Sequence, residues 1–255
     1  MRSIWKGSIG FGLVNIPVKL FSATQSSTLD FDMLDSRDHA RIRFQRVNEQ
    51  THKEVPYDKI VKGYKLDEDY VIMDEQDFED AAPDKSHEIE IESFVDIAEV
   101  NPMYYETSYY VEPDSKTNKA YALLVKALQK SKKAGLARFV LRSTESLCIV
   151  HPVDDVLVVT RIRFAQEIRS AEEITAPKTE VGKKELDMGL ALINQYAGKF
   201  DVSKFKNEYS DELLNIIKLK AKGKRATVKK MKPVKASGDD LYDQLMASLQ
   251  TKKGA

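Results

Sequence analysis

Runs in which apolar and charged residues alternate one by one constrain this chain more than any other feature, because only an extended strand puts neighbouring side chains on opposite faces. In residues 87–95, Glu88, Glu90 and Glu92 stand opposite Ile89 and Ile91. In Arg41-Ile42-Arg43-Phe44-Gln45, Ile42 and Phe44 face one way while Arg41, Arg43 and Gln45 face the other. In residues 158–164, Val158, Ile162 and Phe164 share a face opposite Arg161 and Arg163. Any one such face is ordinary solvated strand surface. Taken together, arginine on some strands and glutamate on others predict a sheet whose charges are gathered into separate cationic and anionic surfaces.

The segment from Trp5 to Leu20 alternates at Ile9, Phe11 and Leu13, then changes phase to Val14, Ile16, Val18 and Leu20. Two strand pieces joined by a bulge account for that change. Its glycines read G-x-x-G-x-G without a preceding strand or a following helix, so they serve the strands and not a phosphate loop. Helical spacing appears at Tyr121, Leu124, Val125 and Leu128, with Gly135 as the expected stop. Lys126, Lys130 and Lys133 recur at i, i+4 and i+7 along that helix, and Arg138 and Arg142 follow on a strand. After Arg169 the pattern stays helical. Leu186, Leu190, Ile193 and Ala197 form one stripe, and Ser210 is placed to cap a second helix through Leu213, Leu214, Ile217 and Leu219.

Charge is distributed unevenly, although 40 basic and 40 acidic residues cancel over the 255-residue chain. Residues 218–235 hold nine Lys or Arg and no acid, which leaves residues 1–217 with 29 basic and 37 acidic side chains, a net charge of −8. If the body meets a polyanion, its cations must be collected on one surface. Beyond the basic stretch, Leu241, Leu245 and Leu249 line up behind acids in a short amphipathic helix. Such a helix either docks on a partner or folds back on the body.

Catalytic signatures are lacking. There is no G-x-S-x-G, P-loop, H-E-x-x-H or C-x-x-C, and His39, His52, His87 and His151 have no metal-ligand spacing. Neither an enzyme nor a metal or cofactor is expected. Cys148, the single cysteine, lies in an apolar run, as a buried thiol of a reducing compartment does. No apolar stretch reaches a membrane span, and Met1 to Gly7 lacks a signal-peptide core, so the expected location is the cytoplasm.

The opening Ile4-Trp5-Lys6-Gly7-Ser8-Ile9-Gly10-Phe11-Gly12-Leu13-Val14-Asn15-Ile16-Pro17-Val18-Lys19-Leu20 resembles the N-terminal signature of bacterial Ku proteins. Further landmarks follow in family order: Arg41-Ile42 with Glu54-Val55, Gly63-Tyr64, Phe94-Val95, Tyr109-Tyr110-Val111-Glu112-Pro113, Ala120-Tyr121-Ala122-Leu123-Leu124 and Glu145-Ser146-Leu147. The resemblance, over about residues 1–220, implies a mixed α+β fold. It consists of a Ku-type β-barrel core with a bridge-like extension over 1–170 and a helical C-terminal arm over 171–217; past the resemblance, composition and spacing give a basic flexible linker over 218–238 and a short amphipathic helix over 239–250. It implies a ring-shaped homodimer that binds ends of double-stranded DNA independently of sequence, in a bacterial cytoplasm at the nucleoid. A multifunctional end-joining ligase of the ligase D type is the implied partner in double-strand break repair by non-homologous end joining. On that reading Arg41, Arg43, Lys126, Lys130, Lys133, Arg138, Arg142, Arg161 and Arg163 are candidate phosphate contacts, joined by Lys222, Lys224, Arg225, Lys229 and Lys230 of the basic stretch. Leu241, Leu245 and Leu249 are candidate partner contacts. Two other classes compete: a general DNA-coating protein acting through the basic stretch, and a pure adaptor whose body never touches DNA.

Overall fold

The computed structural model describes residues 1–81, 87–141, 144–224 and 241–250. Seven strands close into a barrel in the order β1-β2-β6-β9-β8-β7-β5. They are β1 (Trp5–Phe11), β2 (Val14–Ser22), β5 (Glu88–Asp96), β6 (Tyr105–Pro113), β7 (Lys133–Leu141), β8 (Thr144–Val153) and β9 (Val156–Ile162). Every neighbouring pair is antiparallel except β1 with β5. The phase change near Leu13 is not a bulge. β1 and β2 form a hairpin whose last pair is Phe11 with Val14, and Gly12 takes φ +57 at the first turn position, where a side chain would be strained. The hairpin sends Ile16, Val18 and Leu20 inward to meet Ile9.

The interior is filled by the alternate residues of each strand, including Ile89, Ala137, Phe139, Cys148, Val150, Leu157 and Val159. Burial pushes the Cys148 thiol well above its ordinary pKa, so it packs as a small apolar group. Trp5 meets Phe139 edge to face at 6.1 Å, and its indole N–H donates to the Val140 carbonyl. On the opposite face of the wall, Ala134, Ile149 and Ile162 are buried beside Tyr104, Tyr105, Leu136 and Leu147.

One end of the barrel is sealed by α2 (Lys119–Ser131), which Asn118 caps by accepting from the Tyr121 N–H. Its buried face carries Tyr121, Leu124, Val125 and Leu128, as the spacing predicts. The expected stop at Gly135 is corrected: the helix ends at Lys132 in the left-handed conformation, and Gly135 sits inside β7 against Ile91, where a Cβ would be crowded. Lys133 therefore opens a strand and does not continue the helical lysine row.

Between β2 and β5 runs a long insert. It holds the two-stranded sheet β3 (Lys62–Leu66) and β4 (Asp69–Met73), then α1 (Glu75–Ala81). Over Arg41 to Gln45 it forms no strand ladder. Isolated bridges join Leu34 to Arg41 and Val47 to Glu54, and Ile42 and Phe44 are both exposed. None of residues 23–81 is buried, despite apolar side chains such as Phe31, Ile42, Phe44, Tyr64 and Ile72.

Residues 1–26 with 32–170 form one compact unit, and residues 27–31 with 171–255 a second. The second contains α3 (Lys183–Tyr196), α4 (Glu208–Ala221) and α5 (Leu241–Gln250), with α5 against α3. The α3 stripe ends one residue early, because Ala197 is the C-cap. Asn207 and not Ser210 caps α4, since its side chain accepts from the Ser210 N–H. Lys218 and Lys220 lie in the last turn of α4, where cations favour the helix dipole, so the first residues of the predicted linker are helical.

Two expectations about stability follow. The Tyr121 hydroxyl donates to the Val111 carbonyl at 2.7 Å and accepts from the Leu157 N–H at 2.8 Å, binding the plug to β6 and β9. Tyr121→Phe keeps the ring and removes both hydrogen bonds. It should lower the unfolding free energy by about 1–3 kcal/mol in urea titration. His151, hydrogen-bonded to Thr160 at 3.0 Å, is held below the ordinary histidine pKa by burial. The unfolded chain then takes up a proton before the folded one as pH falls below about 6.5. Stability should be full above that value and decline through the mildly acidic range, and His151→Gln should flatten that decline.

Candidate nucleic-acid interface

Cross-strand pairing, not strand sequence, decides what the predicted arginines can do. Arg161 lies on the face of β9 that carries Leu157 and Val159 inward, at the barrel end away from α2. There it lines a cavity of about 450 Å³ with Ile4, Ser22, Thr107, Tyr109, Leu141, Thr144 and Ser146. A bulge in β6 turns Glu106 toward the end of β9, and one carboxylate meets two guanidiniums: Glu106 Oε2 lies 3.3 Å from Arg161 Nη2, and Oε1 lies 3.3 Å from Arg163 Nη2. Arg163 is fixed further by donating from Nη1 to the Met103 and Tyr105 carbonyls. Arg161 Nε is buried without a hydrogen-bond partner.

Arg138 shows the same logic on the outer wall. Its register neighbour across β5 is Glu90, its Nε lies 2.7 Å from Glu92, and its Nη1 reaches Glu145 at 3.5 Å. The predicted placing of Arg138 on a cationic surface is therefore corrected. β7 lies beside β5, so Arg138 sits among the glutamates of that wall and joins no cationic face.

In the insert, Arg41 is paired with Asp32, while Arg43 has no ion pair among the described residues. Charge is sorted along this segment. Residues 36–65 contain eight Lys or Arg against four acids, and residues 66–80 contain eight acids and no base. Arg37, Arg46, Lys53, Lys59, Lys62 and Lys65 also belong to the basic half, most of which has no strand period, so alternation gives no signal for them. Arg46 stacks over Tyr57 and Lys62 over Phe78, which holds both cations on aromatic faces.

The remaining candidates lie elsewhere. Lys126 and Lys130 are exposed on α2 and Lys133 is exposed at the start of β7, all at the sealed end. They are not brought together with Arg161 and Arg163, which stand at the open end where β2 leaves for the insert. Lys222 follows α4 directly and Lys224 is exposed nearby. Leu245 and Leu249 are half-buried and Leu241 is exposed on α5. Arg142, Arg225, Lys229 and Lys230 lie outside the described residues. Among the described residues no group of His, Cys, Asp or Glu is arranged to hold a metal ion, and no helix is long and apolar enough to cross a membrane.

Comparison with known proteins places these features in a family. The family model described as the Ku70/Ku80 beta-barrel domain matches residues 10–188. The non-homologous end joining protein Ku of Coxiella burnetii is 37% identical over 99% of this chain and 95% of its own length. That of Archaeoglobus fulgidus is 37% identical over 99% of this chain and 100% of its own length. That of Opitutus terrae is 39% identical over 100% of this chain and 94% of its own.

The shared carboxylate gives a direct test of the open-end arginines. Glu106→Gln leaves the strand in place and frees two guanidiniums from their counter-charge. If they meet phosphate, hairpin-duplex affinity should rise by about threefold to tenfold at low salt, with a steeper salt slope. Unchanged affinity and slope would remove Arg161 and Arg163 from the interface.

Proposed function

Since the chain belongs to the Ku family, we propose that it binds ends of double-stranded DNA independently of sequence, as a ring-shaped homodimer in non-homologous end joining, and recruits a ligase of the ligase D type there. The observation that carries the reading is the insert. Residues 32–81 expose Ile42, Phe44, Tyr64 and Ile72 without burying any side chain, which a chain of this length tolerates only where something else covers it. A second copy covers the apolar part and closes the ring. The basic half of the insert, with Arg41 and Arg43, lines the opening, and Arg161 and Arg163 meet the duplex at the barrel end from which the insert springs.

Such a surface touches sugar and phosphate and reads no bases, so it serves any end. It catalyses nothing. Ligation belongs to the partner, which the exposed Leu241 on α5 and its neighbours Leu245 and Leu249 help to recruit. The domain plan is a barrel and bridge over 1–170, an arm from 171 to the end of α4 at Ala221, a basic linker from there to 238 and a terminal helix over 239–250, in a bacterial cytoplasm.

One observation favours a second reading. Nine cations without an acid over residues 218–235 bind any polyanion by counterion release, so general coating needs no ring. Topology separates the two. The full chain is loaded on linear duplex, the ends are joined by ligation, and the circle is washed with salt that strips ordinary phosphate contacts. A threaded dimer should stay on the circle and leave after a single restriction cut. Release by salt from the closed circle would refute threading and favour coating.

A further inference from the structure

The sealed end of the barrel carries a surface that the DNA reading leaves unused. An apolar groove of about 460 Å³ lies between α2 and the barrel rim, with Phe11, Phe94, Leu123 and Ala127 along it and Lys133 at one side. Phe11 and Phe94 meet edge to face at 6.5 Å, which gives the groove a firm wall. Leu123 is 64% exposed and Phe94 43%, while small Ala127 one turn after Leu123 leaves a depression sized for another side chain.

The charge beside the groove forms no ion pair among the described residues, and Asp96, the ladder neighbour of Lys133, accepts from the Ala98 N–H instead. Helical geometry sets Lys126 and Lys130 along the edge next to Leu123 and Ala127. With Lys133 they make three exposed ammoniums that have no ion pair among the described residues, whereas Arg138, Arg161 and Arg163 are each paired. β9 separates the two ends; the ladder sets Lys133 level with Leu157, four residues and so about 13 Å along β9 from Arg161, and α2 lies beyond. Salt screens exposed charges beyond about 8 Å, so a duplex held at the open end gains little from them. That last step rests on the open-end reading of DNA binding.

We propose that this groove docks an acidic amphipathic helix of a partner protein. Apolar side chains at i, i+4 and i+7 of the partner enter beside Phe11, Phe94 and Ala127, and acids on its flank face Lys126, Lys130 and Lys133. A helix fits where an added strand does not, because the closed barrel offers no free strand edge there. The chain's own α5 is engaged with α3.

The probe is a fluorescent synthetic peptide with leucines at i, i+4 and i+7 flanked by glutamates, titrated into the full chain beside a lysine-flanked counterpart. The acidic peptide should bind and the basic one should not. Leu123→Asp, and separately the pair Lys126→Glu with Lys130→Glu, should each weaken binding by about tenfold. Both variants change exposed side chains and should keep the parent melting temperature, and Leu123→Asp should keep hairpin-duplex affinity within about twofold. Equal binding of both peptides, or none, would overturn the proposal. A fall in duplex affinity of the lysine variant as large as its loss of peptide would assign the lysines to phosphate instead. Displacement of the probe by a peptide of residues 239–250 at equal concentration would give the groove to the chain's own terminal helix.

Discussion

Closure of the seven-stranded wall is the constraint on which the rest depends. A closed sheet leaves no edge, so it cannot grow by strand pairing, and everything it recognises must come from its ends, its outer face or the segments that leave it. Closure also makes an interior that side chains must fill. The strands supply most of that filling, and α2 supplies the rest through Tyr121, Leu124, Val125 and Leu128. Once one end is plugged by a helix, the two ends differ. Chain exits, the Arg161 cavity and Glu106 fall at one end, and the lysine-edged groove falls at the other.

Much of the barrel was legible because period-two alternation is a local property. The inward Ile89 and Ile91, the helical face of α2 and the helices after Arg169 could all be read within a short window. What could not be read was anything set by register. The arginines of β7 and β9 looked like one cationic face until the ladder put Glu90, Glu92 and Glu145 around Arg138 and put Glu106 between Arg161 and Arg163. Likewise, alternation separates the two faces of β9 but does not say which is inside. A buried strand that is apolar on both faces gives an inward arginine the look of a solvated one. The phase change at Leu13 was visible, yet a bulge and a tight hairpin produce the same local signature.

The insert escaped for a different reason. Its residues obey no strand or helix period over most of its length, because no core beneath it selects one face. A segment that buries nothing in its own chain is free to be patterned by charge instead, and this one is: cations over 36–65, then acids over 66–80. The aromatic residues that would be core elsewhere here carry Arg46 and Lys62 on their faces.

These features explain how a body of net charge −8 can serve a polyanion. Exposed ion pairs such as those of Arg138 contribute little, about 0–1 kcal/mol each, and the half-buried Glu106 is one carboxylate against two guanidiniums. Their effect is a matter of place. Arg138 is enclosed by acids on the wall, whereas at the open end two guanidiniums share one carboxylate and keep a local excess of positive charge. Over distances beyond about 8 Å the total charge is screened and that local excess governs. On the open-end reading proposed above, a phosphate chain meets attraction there, while the acidic wall meets it with repulsion. The fold thus converts an unfavourable sum of charges into a favourable location for one.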